Sequence, residues 1–309
     1  MKNKQTLIGS AMLMLTAFIW GTAFVAQSAG MNYLEPFSFN GIRCLFASLA
    51  LGIFITIYGF IKKQKRTSSI KTLLIGGTII GVVLFVASST QQIGIKMIGA
   101  GKSGFITSLY IVFVSVIGLL FKKKVNYLGW ISVGIAIVGS FFLCMDENLS
   151  LGLGEMLSVV GAVFFALQIL LIDYYAPKTN PILLSCIQLL VVFILSIVPM
   201  LVSETPTWEG ISGALPSLLY AGVLSGGIAY TLQIVAQRKV PPLVASLIMG
   251  LESVFAGIAG AVILHEIFTW RDFLGSALIL SAVVLSQIPI KSKNKQNPER
   301  INYERTKNV

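Results

Sequence analysis

Charge is what this chain has least of. Only 11% of its 309 residues are charged, while 55% are hydrophobic; a soluble domain usually carries about 25% charged residues. The shortage excludes water as the solvent for most of its surface. There is a single histidine, His265, and the three cysteines, Cys44, Cys144 and Cys186, stand at no ligand-like spacing. That excludes a Cys/His metal centre and a disulfide framework, and the cysteines read as small packing residues. No stretch alternates apolar and polar residues strand by strand, so a β-barrel is excluded too. Gly99-Ala-Gly-Lys-Ser-Gly104 imitates a nucleotide-binding loop, but GxxxxGK[ST] needs glycine at position 96, where the chain has Lys96. His265 and Glu266 are adjacent, so on a helix they diverge and form no metal pair. With no zinc, haem, phosphate-binding or nucleophile–base pattern, neither a cofactor nor an enzyme's catalytic constellation is expected.

What the chain has is apolar blocks of about 20 residues, the length that crosses roughly 30 Å of hydrocarbon. They place spans near 6–28, 37–61, 72–94, 99–121, 126–145, 151–173, 181–202, 211–235, 241–264 and 271–290. The expected fold is an all-α membrane protein of ten transmembrane helices. If the N-terminus is cytoplasmic and sides alternate, inside loops and tails hold 19 of the 23 Lys and Arg residues. This positive-inside pattern predicts both termini in the cytoplasm of a bacterial cell membrane. The +11 net charge therefore reports topology and gives no reason to invoke nucleic acid. Lys2 and Lys4 ahead of an apolar run resemble a signal peptide, but the run is too long for one and is expected to be retained. Residues 291–309 are polar and aperiodic, the pattern of a disordered tail.

Self-comparison reveals a duplication. GVVLFVASSTQQ (81–92) lies over GVLSGGIAYTLQ (222–233) at an offset of 141, LYIVFV (109–114) over LESVFA (251–256) at 142, and Gly134 over Gly275 at 141. Spans 1–5 then map onto spans 6–10. Because five is odd, the second copy enters the membrane from the opposite side, giving two inverted-topology five-helix repeats over 1–147 and 148–290. Such halves can exchange shapes, which is how many secondary transporters expose one site to alternate sides. One chain holds both halves, so a monomer suffices.

Trp20-Gly21 in span 1, Pro36 followed by Arg43 in span 2, and Leu251-Glu252 leading to His265-Glu266 and Gly275 occur in an order that resembles the drug/metabolite transporter superfamily, in its EamA-like ten-helix branch. The likeness runs from residue 7 to 290. It implies a central cavity between the halves, spans 5 and 10 as supports, and export or exchange of amino acids or related metabolites. The chain departs from the family pattern at Ile111 and Ser253, where proline is common, and at the basic cluster 122–124.

Candidate site residues are the polar groups that hydrocarbon cannot satisfy. Glu252, near mid-span, would bind a substrate amine or a coupling proton, or else hydrogen-bond a neighbouring helix. Arg43, about 9 Å inside span 2 at helical rise, would hold a substrate carboxylate or snorkel to the interface. Trp20 and Gln27 share a helix face, as do Ser88 and Gln92, and Tyr230 and Gln233. Gln92 and Gln233 are repeat equivalents placed to flank one central site. Gln168 would serve the site or tie helices together, and Trp20, Tyr110 and Tyr230 would form an aromatic wall.

The reading is a secondary transporter of a small-molecule substrate in a lipid bilayer, driven by a proton or counter-solute gradient. A phosphorylated-sugar or nucleotide-sugar antiporter is the alternative, less favoured because Arg43 is the only basic residue deep in a span. A membrane-embedded sensor or enzyme is the alternative of another class.

Overall fold

In hydrocarbon every backbone amide must find its partner within the chain, so each apolar block folds as a helix. The computed structural model describes residues 2–61, 69–121, 123, 125–144, 152–263 and 269–288. The C-terminal tail, the basic residues at 62–66, Lys122, Lys124, Asp146, Glu147, His265, Glu266 and the Cys144 side chain lie outside what is described. Among the described residues every regular element is helical.

The helices are α1 (Lys2–Gly30), α2 (Pro36–Ile61), α3 (Ile70–Ile98), α4 (Ala100–Ser108), α5 (Tyr110–Leu120), α6 (Tyr127–Cys144), α7 (Leu153–Tyr175), α8 (Pro181–Ser203), α9 (Trp208–Gly213), α10 (Leu215–Leu219), α11 (Tyr230–Gln237), α12 (Pro242–Met249), α13 (Glu252–Ile263) and α14 (Trp270–Ser286). A π-helical segment, Tyr220–Ala229, joins α10 to α11. Among the described residues, eight helices or continuous helix pairs are long and apolar enough to cross a membrane, including Ala100–Leu120, Leu215–Gln237 and Pro242–Ile263. The chain is a multi-pass integral membrane protein. The two other expected spans appear as shorter apolar helices, Tyr127–Phe142 and Phe273–Ser286.

Local chemistry sets the boundaries. Pro181 opens α8, and the Asn180 side chain caps it by accepting from the amides of Ile182 and Leu183. Two spans are broken in the middle, at Leu109 and at Gly250-Leu251. At both breaks the leucine amide bonds back three residues rather than four, to Ile106 and to Ile248, each at 3.2 Å. A tightened turn inside a helix is a hinge geometry.

The helices pair across the two halves of the chain. α1 packs on α11, α13 and the π segment, while α7 packs on α3, α4 and α5. α2 lies against α8 and the π segment, α8 against α2 and α3, and α6 against α14. Glycines permit the closest approaches. A Cβ on Gly81 would stand 2.8 Å from the Gln188 carbonyl oxygen and 2.6 Å from Val191 Cβ. A Cβ on Gly222 would stand 2.7 Å from the Arg43 carbonyl oxygen and 3.0 Å from Phe46 Cβ.

The face of the bundle reached by the end of α1, called here the far face, is tied by polar contacts. Glu204, just past α8, caps the start of α2: Phe37 N–H donates to Oε1 at 2.8 Å, and Ser38 N–H and hydroxyl both donate to Oε2 at 2.6 Å. Lys102 donates to Glu155 at 2.6 Å, and Lys96 pairs with Glu35 in the open. Because a carboxylate at a helix start both satisfies orphan amides and meets the positive end of the helix dipole, Glu204→Ala is expected to cost about 2 kcal/mol. The checking measurement is the thermal midpoint in detergent, which should drop in Glu204→Ala and recover partly in Glu204→Gln. Equal midpoints in all three proteins would remove the cap from the stability account.

Candidate functional site

A group of buried polar residues from both halves of the chain lines one central cavity. Trp20, Phe24 and Gln27 of α1 form part of its wall, facing Arg43 of α2, Gln91 of α3, Thr107 of α4 and Tyr110 of α5. The second half contributes Phe165, Gln168 and Ile169 of α7, Ser225 of the π segment, Tyr230 and Gln233 of α11, Met249 of α12 and Glu252 of α13. Tyr110 and Glu252 are each the first residue beyond a helix break, so both breaks open directly on the cavity.

Arg43 is buried, not snorkelled. Its Nε and Nη2 donate to Asn40 Oδ1 at 3.1 and 2.9 Å, and Nη1 donates to Gln27 Oε1 at 2.8 Å. Asn40 in turn donates to the hydroxyls of Ser88 and Ser89 at 3.0 and 3.2 Å. Every partner is neutral, so the guanidinium is oriented but its charge is not cancelled. Glu252 is also buried. It forms no ion pair with Arg43, nor with any other cation among the described residues. The Tyr110 hydroxyl is buried beside the same cavity. A guanidinium and a carboxyl, neither in an ion pair among the described residues, thus share one buried cavity, an arrangement kept in membrane proteins chiefly where a ligand or ion uses it.

Two further features shape the wall. Trp20 and Tyr230 rings sit 4.9 Å apart at 57°, and Trp20 Nε1 donates to the Ser225 carbonyl at 3.3 Å. The π segment frees such carbonyls from the ordinary helical ladder. Gln168 and Gln233 form a reciprocal amide pair, each donating to the other at 3.3 and 3.2 Å.

Of the ten residues singled out from the sequence, Trp20, Gln27, Arg43, Tyr110, Gln168, Tyr230, Gln233 and Glu252 line this cavity. Ser88 lines a smaller adjoining space with Arg43, Cys44 and Tyr230. Gln92 is fully buried and lines neither space, while its neighbour Gln91 faces the cavity. The reason lies in helix winding. The π segment underwinds the second-half helix before Gln233, whereas α3 is regular up to Gln92. Repeat-equivalent glutamines therefore leave their helices in different directions. The sequence reading also missed Phe24, Thr107, Phe165, Ile169, Ser225 and Met249. Phe24 and Phe165 carried a signal, since each stands three residues before a site glutamine, Gln27 and Gln168, at the 141 offset.

Comparison with known proteins gives a consistent picture. The EamA-like transporter family description matches the chain twice, over residues 7–145 and 152–287. An uncharacterized transporter of Archaeoglobus fulgidus is 30% identical over 279 residues, covering 90% of this chain and 85% of that protein. The uncharacterized transporter YoaV of Bacillus subtilis is 25% identical, covering 87% and 92%. The uncharacterized inner membrane transporter YedA of Escherichia coli is 24% identical, covering 92% of both chains. A crystal structure with 14% identity superposes with a TM-score of 0.74 over 92% of this chain and 96% of the other, a likeness of fold.

Proposed function

The chain belongs to the EamA-like transporter family, and on that premise we propose that it exports or exchanges small zwitterionic metabolites, amino acids above all, by alternating access. The observation that carries the reading is the pair of buried ionisable side chains in one cavity, Arg43 and Glu252, neither in an ion pair among the described residues. A substrate with a carboxylate at one end and an ammonium at the other answers both, and each contact is a charge-assisted hydrogen bond. Trp20, Phe24, Phe165 and Tyr230 offer its side chain an apolar wall. A phosphorylated sugar would bring two negative charges to a space with one described cation and one carboxyl, which disfavours it.

Alternating access rests on the inverted repeat. The reading is supported by helix pairing, in which exchanging the halves carries each major contact into another observed one: α1 against the π segment and α13 becomes α7 against α3 and α5. It is supported again by the paired breaks at Leu109 and Leu251 and by the matched contacts of Gly81 and Gly222. With the basic loops inside, both termini face the cytoplasm and the far face looks outward. Energy comes from a proton or counter-solute gradient, and a single chain suffices.

The test is reconstitution of the purified protein in liposomes loaded with a mixed pool of amino acids and central metabolites, with efflux followed by mass spectrometry. Selective loss of amino acids, slowed in Gln233→Ala, is the expected result. Retention of the whole pool with and without a pH gradient would overturn the reading and favour a membrane-embedded sensor or enzyme.

A further inference from the structure

The cavity is finished differently at its two ends. Toward the far face its polar groups are linked to one another: Arg43 donates to Gln27 and Asn40, Asn40 donates to Ser88 and Ser89, and Gln91 donates to Thr107 at 3.3 Å. The opposite face, called here the near face, is where α1 and α8 begin and α7 and α11 end. Gln233 and Ile169 are the last residues of α11 and α7 to line the cavity in that direction. Gln168 and Gln233 pair reciprocally there, and one turn beyond Gln233 the Gln237 amide donates to the Ile169 carbonyl at 3.0 Å. Three side-chain hydrogen bonds thus bar the gap between α7 and α11.

Around this bar, polar groups have nothing to bond. Gln237 Oε1, both amide atoms of Gln188 and the Ser185 hydroxyl are buried without a hydrogen-bond partner. All lie at one depth. Ser185 and Gln188 stand four and seven residues into α8, as Gln233 and Gln168 stand four and seven residues from the ends of α11 and α7. α8 packs on α11. Leu184, one turn before Gln188, shares a packed cluster with Ile234, and Leu189 lines a small space with Gly226 and Tyr230. This stretch of α8 therefore faces α11 and the π segment. Buried orphan groups are rare, because leaving one unmet costs at least what a hydrogen bond returns. Several on two adjoining helices, on one side of a cavity, are kept where water or a passing solute supplies the partner.

We propose that Ser185, Gln188 and Gln237 line the passage by which a polar solute moves between the cavity and the near face, and that the Gln168–Gln233 pair is its bar. The proposal deepens the alternating-access reading and takes its orientation from it, near face to the cytoplasm. When α7 and α11 part, the bar's hydrogen bonds break while the unmet atoms gain water. These effects are of one order and opposite sign, so a modest ligand preference moves the population. Each of the three lining groups is neutral. Such a lining lets a zwitterion through without holding either of its charges, which suits a passage and not a second resting site.

The test needs no identified substrate. Ser185→Cys and Gln188→Cys are made singly in the full chain with its three native cysteines replaced by alanine. A membrane-impermeant cationic methanethiosulfonate is then applied to everted and to right-side-out membrane vesicles. Both cysteines are expected to react in everted vesicles, where the reagent meets the cytoplasmic side, and to stay intact in the others. Leu190→Cys, at an exposed apolar position of the same helix, should be inert from both sides, since the thiolate is the reactive form and hydrocarbon disfavours it. Gln168→Leu and Gln233→Leu each remove the bar and leave its other half unmet in the closed state. Either should speed the reaction at Ser185→Cys about tenfold, while Leu190→Cys stays inert and so shows that the bundle has not loosened. Cysteines that the reagent reaches from neither side would make Ser185 and Gln188 dry packing and overturn the passage. Reaction only in right-side-out vesicles would overturn it together with the orientation. Equal rates with and without the Gln168–Gln233 pair would overturn the bar. Labelling as expected without amino-acid efflux from liposomes would overturn the substrate reading and leave the passage standing.

Discussion

Arg43→Met is expected to reduce flux by about 100-fold while leaving the protein folded. The side chain donates only to neutral amides, at Gln27 and Asn40, so its removal strands no buried carboxylate. Its loss does leave the buried amide oxygens of Gln27 and Asn40 without these donors, at about 1–3 kcal/mol each, so the thermal midpoint should fall while the protein stays folded. Transport suffers because a substrate carboxylate loses a charge-assisted contact worth about 3 kcal/mol, which corresponds to roughly 100-fold. Arg43→Lys should lie between: it keeps the charge but lacks the planar fork that engages Asn40 and Gln27 together. Amino-acid efflux from liposomes measures all three proteins. Flux near the wild-type rate in Arg43→Met would mean that the arginine only holds α1, α2 and α3 in register.

The second large effect is expected at Glu252. Glu252→Gln preserves shape while removing the charge and the capacity to exchange a proton. If Glu252 is the coupling group, accumulation against a concentration gradient should vanish, yet solute exchange without a pH gradient should persist. If it serves only to hold the substrate ammonium, both should fall together, by about 100-fold on the same arithmetic. Unchanged gradient-driven accumulation would remove Glu252 from both roles. The paired assay therefore separates binding from coupling at one residue.

Much of this arrangement is legible in the amino-acid sequence, for a physical reason. In an apolar span a charge or amide is expensive, so Arg43, Glu252, Gln27, Gln168 and Gln233 stand out against their background and must turn toward one another. The apolar wall is not legible that way: Ile169 and Met249 look like any other hydrophobe of a membrane helix. The helix break at Leu109 is equally silent, although Gly250 marks the second one. Winding is the subtler omission. Gly226-Gly227 admits a π turn without requiring it, and that turn decides why Gln233 faces the cavity while Gln92 does not. The length of α6 and α14 is a further case, since apolar composition alone does not tell a full span from a short one.

The cap that Glu204 places on α2 has a kinetic consequence. In the alternating-access reading, α2 cannot swing away from α8 at that face without breaking three hydrogen bonds to one carboxylate, so the rate of any opening there depends strongly on a single side chain. Its partners are two backbone amides and a hydroxyl rather than a mobile counter-ion. Added salt screens the exposed Lys96–Glu35 pair but has little to compete for at the helix start. The opening rate at this face should therefore change little between fresh water and brine.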